Sequence, residues 1–328
     1  MAKRKLSRQQ KNRIQLAQHA RSAEDQNMSG RVISHHGKQL LVELISGELI
    51  ECRVRSNVEG LVCGDRVTVE NTHGNDRRIN ALLERENLLR RIDGNGKTRS
   101  IAANVSRLII CLAVVPRPSI FLLDQYLLSA AQQQIPVSIL LNKIDLIQGE
   151  LTDPFDLMKT YAPMGYPVIK TSVRSGEGME AFRNMLAHQV TVLSGVSGVG
   201  KSSLTQWLLP HTNIRTAGLS EASHEGKHTT RASHLYRLPE VTGELIDTPG
   251  VRGFGPFIDS DQPLANGFRD IHAYAGDCRF NNCLHHKEPG CAVVAAVEGK
   301  KIRDSRYQSY LKLLGNRDTG QPANPRNC

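Results

Sequence analysis

The segment GVSGVGKSS, from Gly195 to Ser203, fits the phosphate-loop pattern G-x-x-x-x-G-K-S/T. An apolar run, QVTVLS, precedes the pattern and the run KSSLTQWLL follows it, which predicts the strand–loop–helix context that such a loop requires. Glycines let backbone N–H groups curl around phosphates, and the following helix points its N-terminus at them. Lys201 is expected to reach the β- and γ-phosphates, which also makes it a catalytic candidate, and Ser202 is expected to ligate Mg²⁺. The residues predicted to bind the nucleotide here are Gly195, Val196, Ser197, Gly198, Val199, Gly200, Lys201, Ser202 and Ser203.

A base-recognition motif, NKID, lies well before this loop, from Asn142 through Lys143 and Ile144 to Asp145. The Asp145 carboxylate can accept hydrogen bonds from guanine N1–H and from the exocyclic amine. Adenine would leave that carboxylate unpaired, at a cost of roughly 1–3 kcal/mol. Asn142 can address the guanine edge and brace the phosphate loop, while the stem of Lys143 covers a face of the ring. An isolated NKxD motif is a weak signal, but its pairing with a phosphate loop favours a guanine nucleotide.

Two further loops complete the set of nucleotide-binding elements. In TSVRSGEG, Ser172 and Val173 occupy the place of a serine–alanine–lysine loop, where a backbone N–H would meet guanine O6. The stretch DTPG ends another apolar run and fits the D-x-x-G element. We expect Asp247 to hold a water molecule of Mg²⁺, and the Gly250 N–H to contact the γ-phosphate.

The polar stretch EASHEGKHTTRASH holds the candidates for magnesium binding and catalysis. Either Thr229 or Thr230 could supply a second Mg²⁺ ligand, and the sequence does not choose between them. Val251 follows D-x-x-G where Ras-like enzymes carry a water-orienting glutamine, which predicts slow hydrolysis until an external surface completes the site. His228 is the candidate for positioning water, and His224 is a weaker one. The alternative for His228 is that it contacts RNA or packs against its own loop.

The order of these elements is unusual. The base loop and the serine-led loop precede the phosphate loop, whereas the usual order begins with the phosphate loop. This order predicts a circularly permuted domain, which is feasible because domain termini commonly lie close together. Helical stretches such as FLLDQYLLSAAQQQ separate apolar runs typical of a parallel sheet with both faces covered. The predicted strands lie in RLIICLAVV, PVSILLNKIDL, YPVIKTSV, QVTVLS and GELIDTPG.

The region before this domain has the sequence pattern of a small β-barrel. About five short alternating runs between Gly30 and Leu83 predict an oligonucleotide-binding (OB) type β-barrel. In ELIECRVR, for example, Ile50 and Cys52 fall on one face and charged residues on the other. The stretch LLERENLLRR, from Leu82 to Arg91, is expected to form a short helix or a connector.

The region after it carries a compact set of metal ligands. Three cysteines and a histidine form the pattern C-x₄-C-x-H-x₅-C, which suits one structural Zn²⁺ with all four positions filled. The alternative nitrogen ligand is His286, and the alternative role for the cysteines is burial or redox chemistry. The following stretch, EGKKIRDSRYQSYLKLLG, predicts a basic helix that packs through Ile302, Tyr310 and Leu314. The predicted zinc ligands are Cys278, Cys283, His285 and Cys291.

The composition and net charge of the chain indicate which class of partner it binds. The chain has 328 residues and a formal net charge of +10, and the stretch before Glu24 holds seven Lys or Arg and no acid. This distribution favours nucleic acid as a partner.

The sequence has neither an apolar run of about 20 residues nor a secretory signal, so the protein is predicted to act in the cytoplasm, without a membrane partner. The predicted regions are a disordered basic arm (1–29), an OB-type RNA-binding domain (30–85), the permuted GTPase domain (86–258), an α-rich zinc-binding domain (259–316) and a flexible tail (317–328).

In these motifs, their order, the GKHTT stretch and the two flanking domains, the sequence resembles the circularly permuted, small-ribosomal-subunit-dependent GTPases of bacteria. The resemblance covers nearly the whole chain. It implies an enzyme that binds the small (30S) subunit, hydrolyses GTP to GDP and phosphate when that subunit stimulates it, and acts late in subunit maturation. It also implies that the barrel and the zinc domain contact 16S ribosomal RNA, that Mg²⁺ accompanies GTP, and that His285 is the zinc ligand. The architecture suggests a monomer.

Two other functions are compatible with parts of the sequence. Val251 leaves open an RNA-binding module that uses GTP only as a structural ligand, and subunit-stimulated turnover would exclude it. A phosphate-loop kinase of a small substrate is disfavoured by NKID and by the flanking domains, and a phosphorylated acceptor would be its signature.

Overall fold

The computed structural model describes residues 27–36, 39–71, 76–93, 96–147, 158–210, 233–248, 255–259 and 261–318. The chain divides into two compact units, Met1–Arg85 and Glu86–Cys328. The predicted arm and tail lie mostly outside the described residues, and the predicted limits within the second unit stay predictions. Among the residues that the structure describes, no helix has both the length and the apolar character needed to cross a membrane.

The first unit contains a five-stranded barrel, as the alternating runs predict. Antiparallel pairs join β1 to β2, β2 to β3, β4 to β5 and β1 to β4, and a parallel pair joins β3 to β5. The closed order 1-2-3-5-4 is that of an OB-type barrel. Ile50 and Cys52 point into the core with Val67 and Val69, each at most 3% exposed, because alternate side chains of a strand face opposite sides. The strands are β1 (Asn27–His36), β2 (Gln39–Leu44), β3 (Leu49–Val54), β4 (Arg66–Asn71) and β5 (Arg77–Leu82).

The second unit begins with a β-hairpin. At Leu82–Arg91, where a short helix or a connector is expected, residues 83–87 form a connector, whereas Leu88–Arg91 belong to a strand and not to a helix. Strands β6 (Leu88–Ile92) and β7 (Thr98–Ala103) pair antiparallel and bury Leu89. The Asn87 side chain donates to Val105 O and accepts from Val105 N, both at 2.9 Å. These long-range contacts outweigh the local helix preference of a Leu- and Glu-rich stretch, because propensity is a weak prior.

The main sheet of the second unit contains all five predicted apolar runs. Strands β10, β9, β8, β11 and β13 lie side by side in that order and are parallel throughout. Strand β12 pairs antiparallel with β13. It begins at His234, which is the last residue of the polar stretch EASHEGKHTTRASH. Every residue of β9 is buried, as expected for a strand covered on both faces. The strands are β8 (Arg107–Ala113), β9 (Val137–Asn142), β10 (Val168–Lys170), β11 (Val190–Ser194), β12 (His234–Arg237) and β13 (Glu244–Asp247).

The helices between these strands include three whose full bounds lie within the described residues. The predicted crossover helix is α1 (Ile120–Gln132), which begins after Ser119, whose side chain accepts from Leu122 N at 3.2 Å. Helix α2 (Met179–Met185) follows β10, and α3 (Lys201–Leu208) follows the phosphate loop, as predicted.

The C-terminal part of the second unit is helical and begins after β14 (Gly255–Pro256), which pairs with β6. Its helices are α4 (Arg269–Ala275), α5 (Ala292–Glu298) and α6 (Asp304–Asp318). The basic helix predicted over Glu298–Gly315 starts only at Asp304, because the chain leaves α5 through Lys300 at a positive φ of 57°. Ile302, Tyr310 and Leu314 are buried, as predicted.

Candidate functional site

The predicted nucleotide loops meet at one edge of the parallel sheet. Strands β9, β10, β11 and β13 end at Asn142, Lys170, Ser194 and Asp247. Because the strands are parallel, their carboxyl ends share one edge, which is where ligands bind in open α/β sheets. The permuted order along the chain therefore does not separate the loops in space.

The phosphate loop passes close to its neighbours at two glycines. Gly195 has φ +143° and Gly200 has φ +95°, and a Cβ on either would collide with a neighbour, Cys111 O for Gly195 and the Asn142 amide nitrogen for Gly200. Only glycine combines this backbone geometry with such close approach. Lys201 Nζ donates to Gly195 O at 2.7 Å and to the next carbonyl at 2.9 Å, so the ammonium group lies against the loop.

Two residues of NKID are bonded to the phosphate loop itself. Asn142 Nδ2 donates to Val199 O at 2.9 Å, and the Asn142 side chain is buried. Lys143 Nζ donates to Gly198 O at 2.5 Å and to Val115 O at 3.0 Å. The bracing role expected of Asn142 thus has a direct geometric counterpart, and the structure adds a second brace from Lys143.

The serine-led loop is bonded to NKID in turn. Ser172 Oγ donates to Asp145 Oδ1 at 2.6 Å, which fixes one carboxylate oxygen of the base motif. Thr171 Oγ1, which is buried, donates to Asn142 Oδ1 at 3.3 Å. Sequence reasoning missed Thr171, although its position directly before Ser172 was the available signal. Val173 and Ile144 are half-buried beside these contacts.

The magnesium and catalytic candidates are divided between described and undescribed residues. Ser202 and Ser203 are exposed at the start of α3, and Asp247 ends β13. Burial raises the pKa of the Asp247 carboxyl, and a hydrogen bond from the Thr248 backbone partly opposes that rise. The candidates that lie outside the described residues are His224, His228, Thr229, Thr230, Gly250 and Val251.

A neutral thiol lies beneath the phosphate loop. Cys111 is fully buried in β8, and burial raises its pKa to about 12, although the positive charge of Lys201 opposes the rise. A thiol with that pKa carries almost no thiolate at neutral pH. Cys111 is therefore a packing residue beneath the loop.

The four predicted zinc ligands form one cluster. The ligand atoms of Cys278, Cys283, His285 and Cys291 all lie within 4.8 Å of one another. Cys278 Sγ is 3.4 Å from His285 Nδ1 and 3.8 Å from Cys291 Sγ, and Cys291 Sγ is 3.7 Å from the same nitrogen. This cluster could hold a metal ion. The alternative ligand, His286, is exposed and lies outside the cluster.

Neighbouring residues form hydrogen bonds with the turn that carries His285. Glu288 accepts backbone N–H bonds from Leu284 and His286 at 2.9 Å and from Lys287 at 3.1 Å. Tyr307 Oη donates to His285 O at 2.8 Å. These bonds hold the backbone on both sides of His285 from outside the cluster.

Comparisons with known proteins agree with this geometry. A family model for the RsgA GTPases matches residues 82–257. A relative from Hahella chejuensis (strain KCTC 2396), named small ribosomal subunit biogenesis GTPase RsgA, is 38% identical over 335 residues, which cover 95% of this chain and 96% of the relative. A relative of the same name from Marinobacter nauticus (strain ATCC 700491 / DSM 11845 / VT8) is 38% identical over 338 residues, which cover 96% of each.

Two solved structures are similar over most of the chain. The crystal structure of YjeQ from Thermotoga maritima superposes with a TM-score of 0.72 at 29% identity, covering 89% of this chain and 98% of that one. The crystal structure of YloQ, described as a circularly permuted GTPase, gives 0.70 at 27% identity, covering 90% and 96%. These similarities confirm the predicted permutation and the predicted fold class.

Proposed function

The chain belongs to the RsgA GTPase family, and on that premise we propose that it hydrolyses GTP when the small ribosomal subunit stimulates it, during late maturation of that subunit. The chain is thus a ribosome-biogenesis GTPase. The proposal extends to 16S ribosomal RNA as the surface contacted by the barrel and the C-terminal domain, and to action as a monomer in the cytoplasm, where the ribosomal subunits it serves are matured.

The observation that carries the proposal is the direct bonding of the base loop to the phosphate loop. Asn142 and Lys143 donate to the carbonyls of Val199 and Gly198, so one rigid unit presents both a guanine-selective carboxylate and a phosphate cradle. One carboxylate oxygen of Asp145 accepts a hydrogen bond from Ser172, and the second oxygen can accept from the guanine edge. A nucleotide that fits both ends at once is a guanine nucleotide.

The proposed roles at the phosphate end follow from charge and position. Lys201 would exchange its two loop carbonyls for β- and γ-phosphate oxygens, which are stronger acceptors because they are charged. Ser202 and one of the two threonines, Thr229 or Thr230, would ligate the Mg²⁺ that accompanies GTP in this family, with Asp247 holding one of its waters. That ion neutralises charge on the phosphates when it is bound. His228 is proposed to position the attacking water.

The metal cluster fits one structural Zn²⁺. A tetrahedral ion with bonds of about 2.3 Å to sulfur and about 2.0 Å to nitrogen sets sulfur–sulfur distances near 3.8 Å and sulfur–nitrogen distances near 3.5 Å. The observed separations among Cys278, Cys291 and His285 are 3.4–3.8 Å. With Cys283 as the fourth ligand no position is left open for water, so the proposed role is to hold the small C-terminal core together.

The test measures GTP and ATP hydrolysis with and without purified small subunits, at two salt concentrations. The expected result is stimulation confined to GTP and weakened by salt, because the RNA contacts release counterions. Tight GTP binding without stimulation would instead favour a module that uses GTP as a structural ligand. A matched His228→Ala variant separates roles within the site: it should keep GTP affinity and lose stimulated turnover.

A further inference from the structure

Two cysteines of the proposed zinc cluster are accessible to solvent, unlike the other cysteines that the structure describes. Cys278 and Cys283 are half-buried, and the turn between them, residues 279–282, is exposed throughout. A small oxidant in solution can therefore reach these two sulfurs, because susceptibility to oxidation follows exposure. The described cysteines outside the cluster are each at most 5% exposed, and they are Cys52, Cys63 and Cys111.

Two sulfurs of the cluster are close enough to form a disulfide after a small movement. Cys278 Sγ and Cys291 Sγ are 3.8 Å apart, and a disulfide bond is about 2.05 Å long. The chain from residue 276 to residue 291 forms turns, with neither a helix nor a strand. Rotation of the two side chains and a small adjustment of this turn can therefore close the remaining distance.

The chemical state of these sulfurs favours oxidation as well. A cysteine that ligates Zn²⁺ is a thiolate, and the thiolate is the form of cysteine that attacks a peroxide. Cys278 is the more exposed sulfur of the close pair, since Cys291 is only 6% exposed. A peroxide therefore meets Cys278 first, and Cys291 is the nearby thiolate that can react with the product.

From this arrangement we propose that a hydroperoxide oxidises Cys278 and Cys291 to a disulfide, and that the cluster then releases its zinc and the protein loses its stimulation by small subunits. The Cys278 thiolate attacks one oxygen of hydrogen peroxide, the O–O bond breaks, and hydroxide leaves, which makes a sulfenic acid. The Cys291 thiolate attacks the Cys278 sulfur, the S–S bond forms, and a second hydroxide leaves. The two sulfurs thus give up two electrons, which reduce one peroxide. The inference rests on the zinc site and the activity proposed above.

Disulfide formation weakens the C-terminal part in two ways. Of the four ligands only Cys283 and His285 remain, whereas a structural zinc site needs all four. Cys291 Sγ also accepts from Val294 N at 3.5 Å at the start of α5, and an uncharged disulfide sulfur is a weaker acceptor than a thiolate. Because Cys291 packs in the core of the C-terminal part with Tyr307, that core should loosen when the ion is released. In cytosolic proteins, disulfides of this transient kind are usually catalytic or redox-sensing.

The experiment exposes the zinc-loaded, full-length protein to hydrogen peroxide and measures zinc release with a colorimetric chelator. Differential alkylation and mass spectrometry then report the state of each cysteine. The expected result is release of the bound zinc together with a disulfide between Cys278 and Cys291, while Cys283 stays reduced, and reversal by dithiothreitol with added zinc. Retention of zinc, or a disulfide that includes Cys283, would overturn the inference.

Two matched variants separate the reacting cysteine from its neighbour. Cys278→His and Cys283→His each leave two thiolates and two imidazoles, a ligand set that also holds structural Zn²⁺. Cys278→His should keep its zinc at a peroxide concentration that empties the wild-type protein, whereas Cys283→His keeps the close pair and should lose its zinc as the wild type does. Equal zinc loss from both variants would contradict the assignment. If either variant does not load with zinc, the cysteine map of the wild-type protein still decides between the pairs.

A second readout separates this inference from the proposed function. Peroxide should lower subunit-stimulated GTP hydrolysis in parallel with zinc release and leave GTP affinity unchanged, because Cys111, the cysteine beneath the phosphate loop, is fully buried. Full stimulation after zinc release would overturn the inference. If the untreated protein is not stimulated by small subunits, the proposed function fails, and zinc release with the cysteine map still tests the disulfide.

Discussion

Replacing Arg306 by methionine tests the buried charges that join α1 to α4 and α6. The Arg306 guanidinium pairs with the fully buried Asp124 of α1 and forms a bidentate pair with Asp270 of α4. It also lies over two aromatic rings, at 4.6 Å from the Phe268 centroid and 5.4 Å from the Tyr161 centroid. Methionine keeps much of the apolar stem and removes the charge, so both carboxylates stay buried without a cation.

The expected loss of stability is large. Removing one partner of a buried ion pair costs about 3–5 kcal/mol, because the remaining charge is left uncompensated. For a unit of this size, 1 kcal/mol corresponds to about 2–4 °C in Tm. The variant Arg306→Met should therefore unfold about 6–20 °C below the wild-type protein. An exposed neighbour provides the control, since Arg303→Met should change stability by no more than about 0.5 kcal/mol.

The loss of folding stability in Arg306→Met should also depend on pH. Burial raises the pKa of the Asp124 carboxyl, and the Arg306 charge opposes that rise. Without the arginine the folded-state pKa moves further above the unfolded value, so the folded variant takes up a proton that the unfolded chain does not hold. Stability of the variant then increases as pH falls, and the deficit against wild type should be smaller at pH 5 than at pH 8.

The assay is urea and thermal unfolding, followed by the fluorescence of Trp207, which lies in α3 of the second unit and is the one tryptophan in the sequence. The triple variant with Asp124→Asn and Asp270→Asn removes the stranded charges and should recover most of the loss. A single-variant loss below 1 kcal/mol, or a triple variant no more stable than Arg306→Met, would refute the account of a buried, uncompensated charge.

Three further predictions concern the nucleotide and metal sites. Asn142→Ala removes the brace on Val199 O and should weaken GTP and GDP binding alike by about 1–3 kcal/mol, measured by calorimetry; a change confined to GTP would contradict a bracing role. Asp247→Asn should raise the Tm of the nucleotide-free protein at pH 7. Burial raises the pKa of the Asp247 carboxyl, so its charged form lowers the stability of the folded protein, and this stability is regained only as pH falls. The same substitution should abolish Mg²⁺-dependent hydrolysis, and a lowered Tm would argue against the cost of burying the Asp247 charge. Cys278→Ser should lower bound zinc from one equivalent, measured by metal analysis, and reduce the helical circular dichroism of the C-terminal part, with Cys52→Ser as a cysteine control outside the cluster.

The local chemistry of the loops could be predicted from the sequence because it depends on neighbours along the chain. A glycine that must adopt positive φ, as at Gly200, or a lysine at the end of a phosphate loop is specified within a few residues. Apolar runs long enough to be buried on both faces, such as β9, likewise predicted their own place in a parallel sheet. The spacing of the Cys/His ligands is local in the same sense.

The contacts that join distant parts of the chain were decided only by the tertiary structure. Residues 88–92 form a strand because a partner strand and the Asn87–Val105 bonds are available, whereas their own sequence favours a helix. The bond from Lys143 to the Gly198 carbonyl and the Arg306–Asp124 ion pair join groups that lie 55 and 182 residues apart in sequence. Periodicity and motif spacing report which face of an element is buried, but not which partner covers it, because burial free energy is non-directional while hydrogen bonds and ion pairs require a specific neighbour.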